Sequence, residues 1–333
     1  MIMIRCCPAT LIEGHDTYSD EALQSLFGGE AVSPFLDFKF DGRGCPASLA
    51  GAIYHISVSG VQEKFPAVVD GGKIRIAEKD ERSTHILKPA PWDETLAERR
   101  HVPANEHLTM QIASQVYGID TAKNGLCFAA GRAVYITRRF DIGPDGSKCA
   151  MEDMAAAVGR NESARGRQFK YCGSYEDVAN AIRANVTAWE EDLRRFFELV
   201  VFNYVYGNGD GHLKNFSFVK REDGYRLAPA YDLLNTRLHV CDSDFGLDGG
   251  LSPNIEKSDT WERTGHPCQT DFWRFGERIG LDHEFIKDVL SRFVSHNDDE
   301  AKLVARSFLS GKMKRAYMRI VEERRSRLRR TSE

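Results

Sequence analysis

GNGDGHLKNFSFVKREDGYRLAPAYDLLN, residues 207–235, decides how this chain is read. It sets Asp210, His212, Lys214 and Asn215 in one loop. A short strand pattern (Phe216 to Val219), a polar turn (Lys220 to Gly224), a second strand (Tyr225 to Ala228) and then Asp232 follow. Phosphoryl transfer needs an acidic side chain to orient the attacking hydroxyl and take its proton. It also needs an Asn and a second Asp as oxygen ligands for Mg²⁺ held against nucleotide phosphates. Asp210 fits the first role, Asn215 and Asp232 the other two. Asp, Asn and Gly also make ordinary turns. Here, however, an apolar helix runs straight into the loop and hairpin chemistry follows it, so the order is that of a mechanism.

Working upstream, Trp189 to Tyr206 carries Leu193, Phe196, Phe197, Val200, Val201 and Tyr204 on one stripe, a rigid base for the loop. Ser174 to Asn185 opens on a capping pattern, Ser174 with Asp177. Further back, THILK (Thr84 to Lys88) ends a strand in a lysine, and a helix expected over Asn105 to Tyr117 places Glu106 in its first turn. Lys88 is a candidate ligand of the α- and β-phosphates with Glu106 as its partner. A strand-end lysine is otherwise solvated, and an early-helix Glu is favoured by the helix dipole in any case.

Ser57, Val58, Ser59, Gly60, Val61, Gln62, Glu63 and Lys64 form a Ser/Gly loop that leads into a hairpin expected over Phe65 to Asp70 and Lys73 to Ala77. Glycine lets main-chain N–H groups approach phosphates. The loop matches neither G-x-x-x-x-G-K-[ST] nor G-x-G-x-x-G, and alone it reads equally well as a turn. Strands at Gly125 to Ala129 and Arg132 to Arg138 end in RRFD (138–141). A hinge carrying adenine contacts belongs there, with Arg138 and Phe140 as the candidate residues.

The 333 residues suffice for two lobes, expected over 1–140 and 141–333. The first is β-rich and holds the Ser/Gly loop and lysine. The second is dominated by helices and holds the catalytic and metal loops. A net charge of −4 excludes a global pull toward nucleic acid or a membrane surface. The start is too short in apolar residues for a signal peptide and no segment reaches membrane-span length, so a cytoplasmic protein is expected. The eight cysteines include no C-x-x-C pair, which excludes a zinc knuckle and a thioredoxin motif. Ser19 to Phe27 reads as a capped helix, and Cys241 to Pro253 as a solvated loop. Helices are expected at Gln269 to Ile279, Glu284 to Ser295 and Asp299 to Arg327, the last broken near Gly311. Its basic run, Lys312 to Arg330, reads as solvated surface.

With these residues in place, the chain resembles the HipA family of serine/threonine kinase toxins. The resemblance rests on SxSGxQxK (57–64), THILK, NE (105–106), RRFD, EDM (152–154), G-x-x-D-x-H-x-K-N-F (207–216) and P-x-Y-D (229–232). It implies an α+β, two-lobed, protein-kinase-like fold and an ATP- and Mg²⁺-dependent serine kinase. In that kinase Asp210 is the base, Asn215 and Asp232 are the metal ligands, and Lys88 is the phosphate ligand. His212 and Lys214 orient or neutralise within the catalytic loop.

Only some 55 residues precede the Ser/Gly loop, which is similar to the short HipT kinases of three-gene HipBST systems. That likeness implies autophosphorylation at Ser57 and Ser59. It also implies a small HipS-like antitoxin and a HipB-like DNA-binding antitoxin as partners, with DNA reached only through the complex. The implied target is an aminoacyl-tRNA synthetase, the tryptophanyl enzyme by resemblance to HipT. Two alternatives stand beside this reading: a small-molecule phosphotransferase, which lacks the SxSGxQxK loop, and a pseudokinase-like co-repressor module.

Overall fold

The computed structural model describes residues 4–40, 54–55, 62–143, 145–166 and 168–331. In chain order, the first elements are α1 (Asp20–Phe27), β1 (Phe35–Leu36), β2 (Tyr54–His55), β3 (Glu63–Asp70), β4 (Lys73–Ile76) and β5 (His85–Lys88). Then come α2 (Val102–Gln115), β6 (Asn124–Ala129), β7 (Arg132–Arg138), β8 (Met151–Asp153), α3 (Met154–Ala157) and α4 (Glu162–Arg165). The rest are α5 (Tyr175–Asn185), α6 (Trp189–Val205), β9 (Ser217–Arg221), β10 (Gly224–Leu227), α7 (Asp259–Thr264), α8 (Gln269–Arg278), α9 (His283–Val294), α10 (Asp298–Arg306) and α11 (Gly311–Leu328). They gather into two compact units. One comprises Met1–Ile142, Leu238–Val240 and Asp298–Arg315, the other Gly143–Arg237, Cys241–Asn297 and Ala316–Glu333.

The first unit is built on a sheet of order β1-β6-β7-β5-β3-β2, with β4 paired to β3 off that path. All pairings are antiparallel except β1 with β6. The β3–β4 hairpin forms as expected: Gly71 and Gly72 take positive φ (56° and 75°), which the turn requires and glycine tolerates. Apolar residues of alternate register, among them Phe65, Ala67, Leu87, Cys127 and Ile136, form the core with Leu26 and Phe27 of α1. Each Phe, Leu or Ile among them contributes about 1.5–3 kcal/mol by leaving water. Ser19 caps α1 by accepting from Ala22 N–H, and Gly28 ends it in the left-handed region (φ 68°), as the sequence predicts.

Helix α2 departs from expectation in two ways. It begins at Val102, since Pro103 suits a first turn where its missing N–H is not needed, so Glu106 falls in the second turn and not the first. It is also buried on every side from Val102 to Ala113. Its polar residues are therefore bonded inside the protein: His107 Nε2 donates to the Ala9 carbonyl (2.8 Å), Gln111 to Asn124 Oδ1 (3.0 Å), and Asn105 Nδ2 lies 3.0 Å from His239 Nε2. Burial pushes the imidazoles of His85 and His107 down to about 4.

The second unit packs helices around a small antiparallel sheet, β10-β9-β8. The α6 stripe from Leu193 to Tyr204 is buried as predicted, with Phe196 edge-on to Phe216 at 5.4 Å between ring centroids. The capping box of α5 forms between Ser174 and Asp177. Two expectations fail. In Cys241 to Pro253, Phe245, Leu247 and Leu251 are buried, and Asp244 pairs with Arg324 and with His266 (2.7 Å). Local composition could not reveal ion pairing with a helix eighty residues away. In α11, Arg324 and Arg325 are interior side chains, so the basic run is not one solvated face.

Candidate active site

In the second unit, α6 delivers the chain into the Gly207 loop. Gly207 turns at φ +65° and its carbonyl lies 2.9 Å from Thr236 Oγ1, which also accepts from Gly209 N–H at 2.9 Å. Thr236 thus holds the loop from the far side of the hairpin. Asp210 is nearly buried; its N–H donates to Asn208 Oδ1 (3.3 Å) and its carbonyl accepts from His212 N–H (2.8 Å). Its carboxylate Oδ1 accepts the Tyr171 hydroxyl at 2.9 Å, and the Tyr171 ring lies edge-on to the buried His212 imidazole, 5.2 Å between centroids.

Asn215 closes a 3₁₀ turn (Leu213–Asn215), and its Oδ1 accepts from the His212 N–H at 3.1 Å. That bond fixes the amide so that its carbonyl oxygen, the better metal ligand, has a defined direction. Asp232 sits at φ +57°, a left-handed conformation that is costly for a residue with a Cβ. Its neighbour Tyr231 is anchored: the hydroxyl donates to the Lys214 carbonyl (2.9 Å) and lies 2.6 Å from Ser217 Oγ. Lys214 Nζ is 3.9 Å from Asp153 Oδ2 and 5.4 Å from the Phe169 ring centre.

Asn215 and Asp232 offer hard oxygen donors, the kind Mg²⁺ takes when substrate phosphates and water complete its shell. These residues fit the ion that the sequence implies.

In the first unit, Lys88 and Glu106 make an ion pair at 2.5 Å, the side chains 4% and 1% exposed. Lys88 is the register partner of Tyr135 across β5–β7, and its ammonium stands 5.1 Å over that ring. Gln62 is buried and its amide donates to the carbonyl of Pro89, the residue after Lys88, at 3.2 Å. The end of the Ser/Gly loop is therefore tied to the lysine strand. Glu63 and Lys64 begin β3. Ser57, Val58, Ser59, Gly60 and Val61 lie outside the described residues.

In RRFD, the Arg138 guanidinium donates to the Ser25 carbonyl (3.2 Å), whereas Arg139 makes a forked pair with Asp141 (3.0 and 2.6 Å). Phe140 follows β7. Sequence reasoning missed Tyr171, Tyr231 and Asp153. Asp153 stood in the quoted EDM motif and Tyr231 in P-x-Y-D; nothing in the sequence tied Tyr171 to the loop.

Residues 56–301 match the family described as the HipA-like C-terminal domain. The chain is 30% identical over 261 residues to a putative kinase, Y4mE, of Sinorhizobium fredii, covering 75% of this chain and 56% of that protein. It is 26% identical over 222 residues to the serine/threonine-protein kinase toxin HipA of Shewanella oneidensis, covering 60% of this chain and 48% of that one. Among solved structures, the fold is shared with a chain of the Shewanella oneidensis complex of HipA, HipB and operator DNA, with TM-score 0.53, 21% identity, and 85% of this chain and 67% of that one covered. The chain thus spans about half the length of these two sequence relatives. It belongs to the family of proteins with a HipA-like C-terminal domain.

Proposed function

We propose that this chain is an ATP- and Mg²⁺-dependent serine/threonine protein kinase of the toxin type. The observation that carries the reading is the buried Lys88–Glu106 pair. Burying two charges is expensive, and such a pair is poor evidence of a stability device, because apolar residues of like volume serve as well or better. A lysine held by a helix glutamate is what a kinase needs to present an ammonium to nucleotide phosphates.

Asp210 accepts the proton of the substrate hydroxyl; the loop hydrogen bonds fix its backbone and Tyr171 orients its carboxylate. Asn215 and Asp232 would hold the metal, which would supply positive charge against the nucleotide phosphates. His212 N–H orients Asn215. Lys214 adds positive charge beside the loop. Gln62 anchors the phosphate-covering loop, where Ser57 and Ser59 are the sites of autophosphorylation.

The partners belong to the same proposal: a small HipS-like antitoxin, a HipB-like DNA-binding antitoxin, and an aminoacyl-tRNA synthetase as target. No helix among the described residues is long and apolar enough to cross a membrane.

The test is incubation with Mg-ATP followed by mass spectrometry. Phosphate on Ser57 or Ser59 that is absent in Asp210→Asn, with unchanged melting temperature, supports the reading. Equal phosphorylation in Asp210→Asn overturns the base assignment.

A further inference from the structure

The arginines of α11 divide into two sets. Arg324 and Arg325 serve the interior: Arg324 pairs with Asp244 and lies 5.1 Å over the Tyr204 ring, and Arg325 donates to the Phe293 carbonyl and the Tyr206 hydroxyl, both at 3.2 Å. Arg327 and Arg330 instead line a hollow of about 340 Å³ within the second unit, with Thr264, His266, Ser326 and Glu323 around it. Arg327 Nη2 is taken by Glu323. Its Nη1 is buried and meets no hydrogen-bond acceptor among the described residues. Asp244 Oδ1, which also pairs with Arg324, lies 3.6 Å away, within ion-pair range but beyond hydrogen-bond distance. A desolvated guanidinium N–H without an acceptor is unfavourable and calls for an oxygen.

We propose that this hollow binds a phosphate monoester. Of the residues lining it, two guanidiniums (Arg327, Arg330) face one carboxylate (Glu323), so the lining is net positive before His266 is counted. His266 is fixed by Nδ1 on Asp244 at 2.7 Å and so forms a rigid wall. Thr264 spends its hydroxyl on the Thr260 carbonyl (2.7 Å), and Ser326, Arg327 and Arg330 are donors for an incoming anion. Two forked guanidiniums and a hydroxyl offer more donors than the two oxygens of a carboxylate can use, and suit the three terminal oxygens of a phosphate. The volume is roughly ten times a water's share of ~30 Å³, enough for a phosphate and a small group carrying it. Glu323 acts as the occupant that the ligand displaces from Arg327. The proposal is independent of the kinase reading.

The test is calorimetric titration of the full chain at constant ionic strength with two probes, inorganic phosphate and O-phosphoserine. A non-hydrolysable ATP analogue and magnesium are kept saturating throughout, so that phosphate sites in the proposed nucleotide region are filled. One-to-one binding is expected, weakened about tenfold or more by Arg327→Gln and by Arg330→Gln. Glu323→Gln should tighten it severalfold, a gain that damage to the fold cannot produce. Arg330 is exposed, so its variant folds even where Arg327→Gln does not. Tighter binding of O-phosphoserine identifies a phosphorylated side chain as the source, and tighter binding of inorganic phosphate identifies the free ion. No binding by the parent, or equal affinity in Arg330→Gln and Glu323→Gln, overturns the proposal.

Discussion

The hydroxyl of Tyr171 donates to Oδ1 of Asp210 at 2.9 Å, and the same ring lies edge-on to His212. Tyr171→Phe keeps the ring and removes only the donor. The phosphoryl-transfer rate should fall about tenfold, the worth of one hydrogen bond to a charged group at ~1.5 kcal/mol, while KM for ATP stays within twofold. Steady-state kinetics check this; an unchanged kcat with a lower melting temperature would assign Tyr171 to structure alone.

Glu106→Gln leaves the Lys88 ammonium buried without its counter-charge, and stability should drop by about 3–5 kcal/mol in denaturant unfolding. This revises what strand position alone suggests, a solvated Lys88 whose loss hardly matters to stability. The double variant Lys88→Met with Glu106→Leu should recover most of the stability yet bind no Mg-ATP. Nucleotide binding by that stable double variant would remove Lys88 from the site.

Asp232 separates stability from activity by sign. Asp232→Gly relieves the left-handed backbone and should raise stability by about 1 kcal/mol while abolishing Mg²⁺-dependent turnover. Thermal melts and turnover at several magnesium concentrations measure both. Retained turnover would show that another oxygen holds the metal.

His85 and His107 are held neutral by burial, each pushed down to about 4 from an ordinary value near 6.5. The unfolded chain takes up protons that the folded chain refuses. Stability is therefore full above pH ~6.5 and is lost as pH falls from there toward 4, by up to ~3 kcal/mol per histidine. His107→Gln keeps a donor for the Ala9 carbonyl and should flatten this slope between pH 6.5 and 4.5. An equal slope in the variant, measured by urea unfolding, would place the acid sensitivity elsewhere.

Much of this was legible from side-chain type and spacing. The stripe on α6, the Ser19 and Ser174 caps and the Gly71–Gly72 turn are local, and local chemistry is written in neighbouring residues. The site was readable where residues sit in one loop, as Asp210 and Asn215 do. Contacts between distant segments were not, the Lys88–Glu106 pair excepted. Nothing near Tyr171 signals Asp210, and Asp244 looks like any loop aspartate until α11 brings Arg324 to it. The start of α2 was misplaced because capping rules look for Ser, Thr, Asp or Asn, whereas this helix opens after His101 with Pro103 in its first turn.

The unit that holds Lys88 and Glu106 includes Asp298–Arg315, with α10 packed on α2 and Phe308 against Phe128 at 5.4 Å. A ribosome reaches that segment long after it has made α2. At about 5–20 residues per second, the interval is roughly 10–40 s. During it the lysine and glutamate exist without the helix that covers theirs. The surroundings of the pair are therefore completed only after most of the chain has been made.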